Sequence, residues 1–135
     1  MLDTNAVLDL LHFDDPISGP LLHALEDKRV RCVVTDATLD ELRRVLGYPD
    51  FALGSARQAA LFALYQNLSV MVEVGDLSAG LPRCSDPDDQ KFIELAAASG
   101  AQGLVSKDRA VLKLRRRCAP LFRIMTPAEA VRWIE

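Results

Sequence analysis

The chain has 135 residues, 50% of them hydrophobic and 26% charged, with a formal net charge of −3. That balance fits one globular domain (1–135) with a real core and excludes a disordered chain. It offers no basic footprint for a nucleic acid, so a polyanionic substrate would need local cations. Cys32, Cys84 and Cys118 show no C-x-x-C spacing, which argues for reduced thiols over a disulfide framework or a zinc site. No apolar run is long enough to span a bilayer and the N-terminal sequence lacks a signal-peptide pattern, so a cytoplasmic protein without membrane contact is expected.

Asp3 follows Met1 and Leu2, and Val7, Leu10 and Leu11 have helical spacing after it. Thr4 and Asn5 stand ready to support Asp3 or the turn around it. Leu21 to Lys28 reads as a second helix and Val30 to Val34 as a strand. Thr35 or Asp36 caps the next helix, which ends at Gly47. On it Asp40 pairs with Arg43 or Arg44, while Glu41 lies beside the Leu42 and Val45 face. Spacing alone makes Glu41 a boundary residue pointing outward, yet about two turns from the strand end it can still reach the sheet edge. Tyr48 to Phe51 forms a turn. Ser55 caps a helix to about Leu68 with Ala59, Phe62 and Ala63 inward, and Ser69 to Val74 alternates like a strand. Gly75 to Arg83 is a loop.

The next stretch carries the chemistry. Asp86-Pro87 reads as an N-cap with a first-turn proline, and Asp89, Phe92, Ile93 and Ala96 recur along one helical stripe that Gly100 terminates. The stripe is apolar except at Asp89, and an ionised group on an inward edge is costly without a partner. Asp88 borders the same stripe, so spacing leaves Asp88 and Asp89 as alternatives; Asp86 is a cap, a ligand or both. Gly103 to Ser106 reads as a buried strand, with Asp108 just past its carboxyl end, where open α/β sheets place their ligand sites. A short helix from Ala110 to Arg117 ends in a basic cluster read as a solvated, dipole-compensating face. Leu121 to Met125 is the last strand, and Thr126-Pro127-Ala128-Glu129 is a capping box opening a terminal helix anchored by Trp133. His12 and His23 lack ligand-spaced partners and read as structural. The alternation of elements predicts four or five short strands in an α/β fold, a parallel sheet covered on both faces.

Asp3, Glu41, Asp89 and Asp108 come from separate segments, each near a strand's carboxyl end. Converging there, they would repel by roughly 1 kcal/mol per pair at 4 Å even in bulk water. Protons or cations must neutralise such a cluster, and carboxylates without His or Cys select Mg²⁺ or Mn²⁺. Such ions activate water and stabilise the leaving oxygen of a phosphodiester.

Leu2-Asp3-Thr4-Asn5, Leu39-Asp40-Glu41-Leu42, Val45 to Phe51, Asp86-Pro87-Asp88-Asp89 with Phe92, Gly100-Ala101, Val105-Ser106-Lys107-Asp108 and Thr126 to Glu129 occur in that order. In this ordered set the chain resembles the PIN domain, in particular the VapC-like toxin components of bacterial type II toxin–antitoxin systems. The resemblance implies a Rossmann-like three-layer α/β/α sandwich and a Mg²⁺- or Mn²⁺-dependent endoribonuclease without a covalent intermediate. It implies Asp3, Glu41, Asp89 and Asp108 as the catalytic and metal-holding quartet, Asp89 prevailing over Asp88 because the family's acid precedes the aromatic by three. Asn5, Asp86 and Ser106 are the supporting polar groups. RNA is the implied substrate, with a cognate antitoxin and a homodimer as expected partners. Two departures stand out. Met1 and Leu2 alone occupy the place of the family's first strand, which is then either a stub or begins upstream, and Ser106-Lys107 replaces a common Thr-Gly. A catalytically inactive PIN-like module that binds RNA or protein is the alternative. A haloacid-dehalogenase or receiver-type site is disfavoured, because position 5 is Asn and the early Asp pair is missing.

Overall fold

The computed structural model describes residues 1–76 and 80–135. Among them the elements run α1 (Thr4–Leu11), α2 (Gly19–Glu26), β1 (Cys32–Val34), α3 (Asp36–Leu46), α4 (Ser55–Leu68), β2 (Ser69–Met71), α5 (Gln90–Ser99), β3 (Gly103–Val105), α6 (Arg109–Leu112), α7 (Arg115–Cys118), β4 (Arg123–Met125) and α8 (Pro127–Ile134). A single 3-10 turn, Pro49–Phe51, joins α3 to α4. The expected loop from Gly75 to Arg83 falls partly on residues 77–79, which lie outside the described residues; its flanks are neither helix nor strand.

All strand pairs are parallel. β1 pairs with β2 in the register Val33 to Val70, and β3 pairs with β4 in the register Leu104 to Ile124. Met1 to Asp3 forms a stub along the other edge of β3: Val105 N–H donates to Met1 C=O at 3.0 Å and Asp3 N–H to Val105 C=O at 3.0 Å. The Met1 ammonium donates to the Gly103 carbonyl at 3.0 Å from a buried position. Burial holds its pKa below the ordinary range. Among the described residues the ladder does not continue from the stub to β1, so the short parallel sheet the sequence suggests is built from two hydrogen-bonded pairs. A cavity of about 680 Å³ lies along that break, lined among others by Met1, Leu2, Val30, Cys32, Gly103 and Val105. At Gly103 a Cβ would stand 2.5 Å from the Met125 Cε, so the close packing of β3 against its neighbour requires glycine.

Side-chain alternation along these strands builds two cores, one on each face. Cys32, Val34, Val105 and Met125 face α1, α2, α3, α4 and α8. Leu104 and Ile124 face Phe92, Ile93 and Ala96 of α5, with Val111 and Cys118 of α6 and α7. This is the three-layer arrangement. None of the three cysteines is in a disulfide, and each is buried. No helix among the described residues is long and apolar enough to cross a membrane.

Local chemistry explains where the elements start and where the sequence reading needs correction. Thr35 and Thr38 exchange capping hydrogen bonds at the start of α3, and Thr126 and Glu129 do so at α8. α5 begins at Gln90, not at Asp86, because the preceding backbone closes in tighter i to i+3 turns. Asp86 Oδ1 accepts the Asp88 N–H at 3.0 Å, and Asp89 N–H donates to the Asp86 carbonyl at 3.1 Å. Gly100, at φ +70°, ends the helix in the left-handed conformation that glycine adopts freely. In α4 the inward face is Leu61 and Tyr65; Ala59 and Ala63 are exposed. Tyr65 reaches the Cys32 thiol at 3.2 Å, and that contact with β1 sets the helix rotation. The single helix expected over Ala110 to Arg117 is two short ones, α6 and α7.

Glu129 also receives a two-point contact from Arg115, with Nη1 and Nη2 at 2.8 and 2.6 Å. The backbone N–H of Thr126 and this guanidinium hold its carboxyl down at about 2. The stabilisation is therefore present above the ordinary carboxyl value of 4.5 and is lost as pH falls towards 2. Glu129→Gln is expected to remove that part of the acid limb from urea midpoints taken between pH 5 and pH 2. An unchanged limb would assign it to other carboxylates.

Candidate metal centre

Asp108 stands at the N-cap of α6, where its Oδ1 accepts the Ala110 N–H at 2.8 Å. Its backbone N–H donates to Ser106 Oγ at 3.0 Å, and the Ser106 N–H is tied to the Met125 carbonyl at 2.9 Å. Ser106 is fully buried, and its hydroxyl lies near Asp3, whose pKa it lowers. Asp3 caps α1 through the Ala6 N–H at 2.9 Å and is 3% exposed. Burial raises its carboxyl pKa; Ser106 and the Ala6 N–H oppose this, and the charges of Asp108 and Glu41 add to it.

Asp89 sits immediately before α5 and meets Asp108 side chain to side chain. One carboxylate oxygen from each of Asp86, Asp89 and Asp108 falls within a 4.8 Å cluster. The Asp89 Oδ2 is buried without a hydrogen-bond partner among the described residues. Its pKa is pushed up to about 7, first by burial and next by the Asp108 carboxyl, which it can approach closely only through a shared proton. The Asp86 and Asp3 charges push the same way.

Glu41 is not in that oxygen cluster. Its side chain is turned inward at 12% exposure, contrary to the outward position that spacing favours. Oε1 accepts from Lys91 Nζ at 2.6 Å, with Arg44 at 3.6 Å, and Oε2 accepts from the Thr4 hydroxyl. Thr4 therefore serves Glu41 and not Asp3. Asn5 is exposed and faces a small pocket beside Asp108. Of the residues expected at the site, Asp86, Asp89 and Asp108 come together. Asp3 stands behind Asp108 through Ser106, and Glu41 stands apart, paired with a lysine.

Sequence reasoning missed Lys91 and the Lys107–Asp9 ion pair at the edge of the site. Lys91 carried a readable signal: it is two residues after Asp89, a cation inside an acidic motif. Asp9 carried none, because α1 is buried nearly all round and its period does not separate one face.

The donors are carboxylate oxygens alone, and one of them is an orphaned buried acceptor. That combination fits a hard divalent cation, whose charge would replace the shared proton. Beyond the geometry, a family model described as PIN domain matches residues 1–110. No curated protein and no solved structure matches the chain.

Proposed function

The chain belongs to the PIN-domain family, and from that premise we propose that it is a Mg²⁺- or Mn²⁺-dependent endoribonuclease and the toxin component of a type II toxin–antitoxin pair. Domains of this family are typically nucleases that use divalent metals. The observation that carries the reading is the buried, unpartnered Asp89 oxygen beside Asp86 and Asp108. We read residues 1–135 as one domain, with RNA as substrate, a cognate antitoxin and a homodimer as partners, and the cytoplasm as its compartment.

Asp89 and Asp108, supported by Asp86, would hold the cation, with Asp3 and Glu41 as the other two members of the acidic quartet. When bound, the cation supplies an activated water near neutral pH and stabilises the leaving oxygen. The protein's own contribution is positional. Ser106 accepts the Asp108 backbone N–H and so fixes that turn, and the N-cap contacts of α1 and α6 anchor the carboxylates of Asp3 and Asp108. The apolar stripe Phe92, Ile93 and Ala96 seats α5 so that Asp89 faces them.

The test is cleavage of a labelled RNA with Mg²⁺ or Mn²⁺, with EDTA as control. Cleavage that depends on the metal supports the reading; RNA left intact at every metal concentration would overturn it.

Lys91 neutralises Glu41 and competes with any cation for it. Lys91→Met should therefore tighten Mn²⁺ binding by roughly fivefold, the equivalent of an ion pair worth about 1 kcal/mol. Calorimetry showing unchanged or weaker affinity would remove Glu41 from the ligand set.

A further inference from the structure

Next to the acids lies a pocket of about 310 Å³ in whose wall Asn5, Phe13, Phe51 and Lys107 stand, with Asp108 closing the side towards the cluster. Its volume is at the lower end of small-molecule sites, about 300–1,000 Å³, enough for one planar group. Phe13 is 54% exposed, a large apolar ring left in water. Its centroid is 6.0 Å from that of Phe51 at an interplanar angle of 57°, and His12 stands behind both, 4.8 and 6.2 Å away. The rings are thus held by each other, with an open face on Phe13. Lys107 pairs with Asp9 and keeps half of its side chain in solvent.

We propose that this pocket is a nucleobase subsite, in which the base next to the scissile phosphate stacks on Phe13. The proposal rests on the nuclease reading of the adjacent acids. Three features select a base over other occupants. The pocket shares Asp108 with the acid cluster, so whatever fills it is continuous with the strand whose phosphate lies there. An open aromatic face accepts any base by stacking. Asn5 offers both donors and an acceptor, as reading a base edge requires, and the Lys107 ammonium at the rim suits a flanking phosphate. A duplex cannot use the site without unstacking a base.

The test uses the full chain and two readouts. In EDTA, an oligonucleotide carrying 2-aminopurine in a single-stranded segment should be quenched on binding the protein, and Phe13→Ala should abolish the quenching while Phe13→Tyr restores it. With Mn²⁺, Phe13→Ala should raise KM for single-stranded RNA by about 5- to 140-fold, the stacking contribution of one base, with kcat and calorimetric Mn²⁺ affinity little changed. An abasic nucleotide at the pocket position should raise KM of the unmodified protein equally and add nothing in Phe13→Ala. Unchanged KM and quenching in Phe13→Ala, or duplex cut as fast as single strand, would overturn the pocket assignment while metal-dependent cleavage kept the nuclease reading intact. Loss of retention of a protein partner by Phe13→Ala, with KM unchanged, would make this a protein-docking surface and overturn it as well. An unmodified protein that neither binds nor cuts RNA would overturn both readings.

Discussion

Asp89→Asn is expected to lower metal-dependent RNA cleavage by on the order of 10³-fold or more, because the several kcal/mol of charge stabilisation contributed by a bound cation depend on its ligands. The same substitution has a second signature that needs no substrate. In the metal-free protein the Asp89 carboxyl titrates near 7 against an ordinary value of 3.8. Between those values the native state holds a proton that the unfolded chain has released, so stability is complete below about 3.8 and falls as pH rises through 7. Urea midpoints measured in EDTA should decline from pH 5 to pH 8, and Mn²⁺ should offset the decline. An asparagine carries no such proton, so Asp89→Asn should flatten the profile. Full cleavage by Asp89→Asn would remove the residue from the site. A persistent slope would place the proton on another acid.

Leu104→Ala should be the most destabilising substitution of a single core residue. Leu104 is completely buried in β3, between the stub on one edge and β4 on the other, against Ile93 and Ile124. Truncating such a leucine costs about 2.7–5 kcal/mol, a large part of the total stability of an ordinary domain. The strand it belongs to also delivers Ser106 and Asp108, so activity should vanish with the folded fraction. Leu121→Ala, at a position 55% exposed, is the control and should stay within about 0.5 kcal/mol. A Leu104→Ala midpoint shifted no more than that of the control would mean this face of the sheet is not the core.

Local rules made much of the fold readable. Thr35 and Thr126 announce helices through capping chemistry that operates within four residues, and Gly100 ends one because only a left-handed turn fits there. β3 was readable because a short apolar run bounded by Gly103 and by polar residues has few other uses. The rotation of α4 was not, because its apolar residues are spread around the helix and its Tyr65 contact with Cys32 joins residues 33 positions apart. The break between the strand pairs was also hidden, since β propensity reports on a strand and not on its neighbour. At the site, the sequence pointed to acids from separate segments. The partner that decides the Glu41 geometry, Lys91, is a long-range side-chain contact that no spacing encodes, whereas Ser106, two residues before Asp108, was legible as a supporting group.

The interrupted sheet has a mechanical consequence. A continuous ladder would hold neighbouring strands at about 4.8 Å by directional hydrogen bonds, leaving helices on either side little freedom to slide. Here the β1–β2 pair and its helices are joined to the rest by packed apolar side chains, which attract without direction, and by the Lys91 and Thr4 hydrogen bonds to Glu41 of α3. The break therefore lacks a backbone ladder to resist sliding. α3, which carries Glu41, rides on one side of it, while Asp89 and Asp108 ride on the other. Sliding there would have to break the Glu41–Lys91 ion pair and the Glu41–Thr4 hydrogen bond before it could move Glu41 relative to the remaining acids, so two side-chain contacts take over the holding task that a continuous ladder would perform.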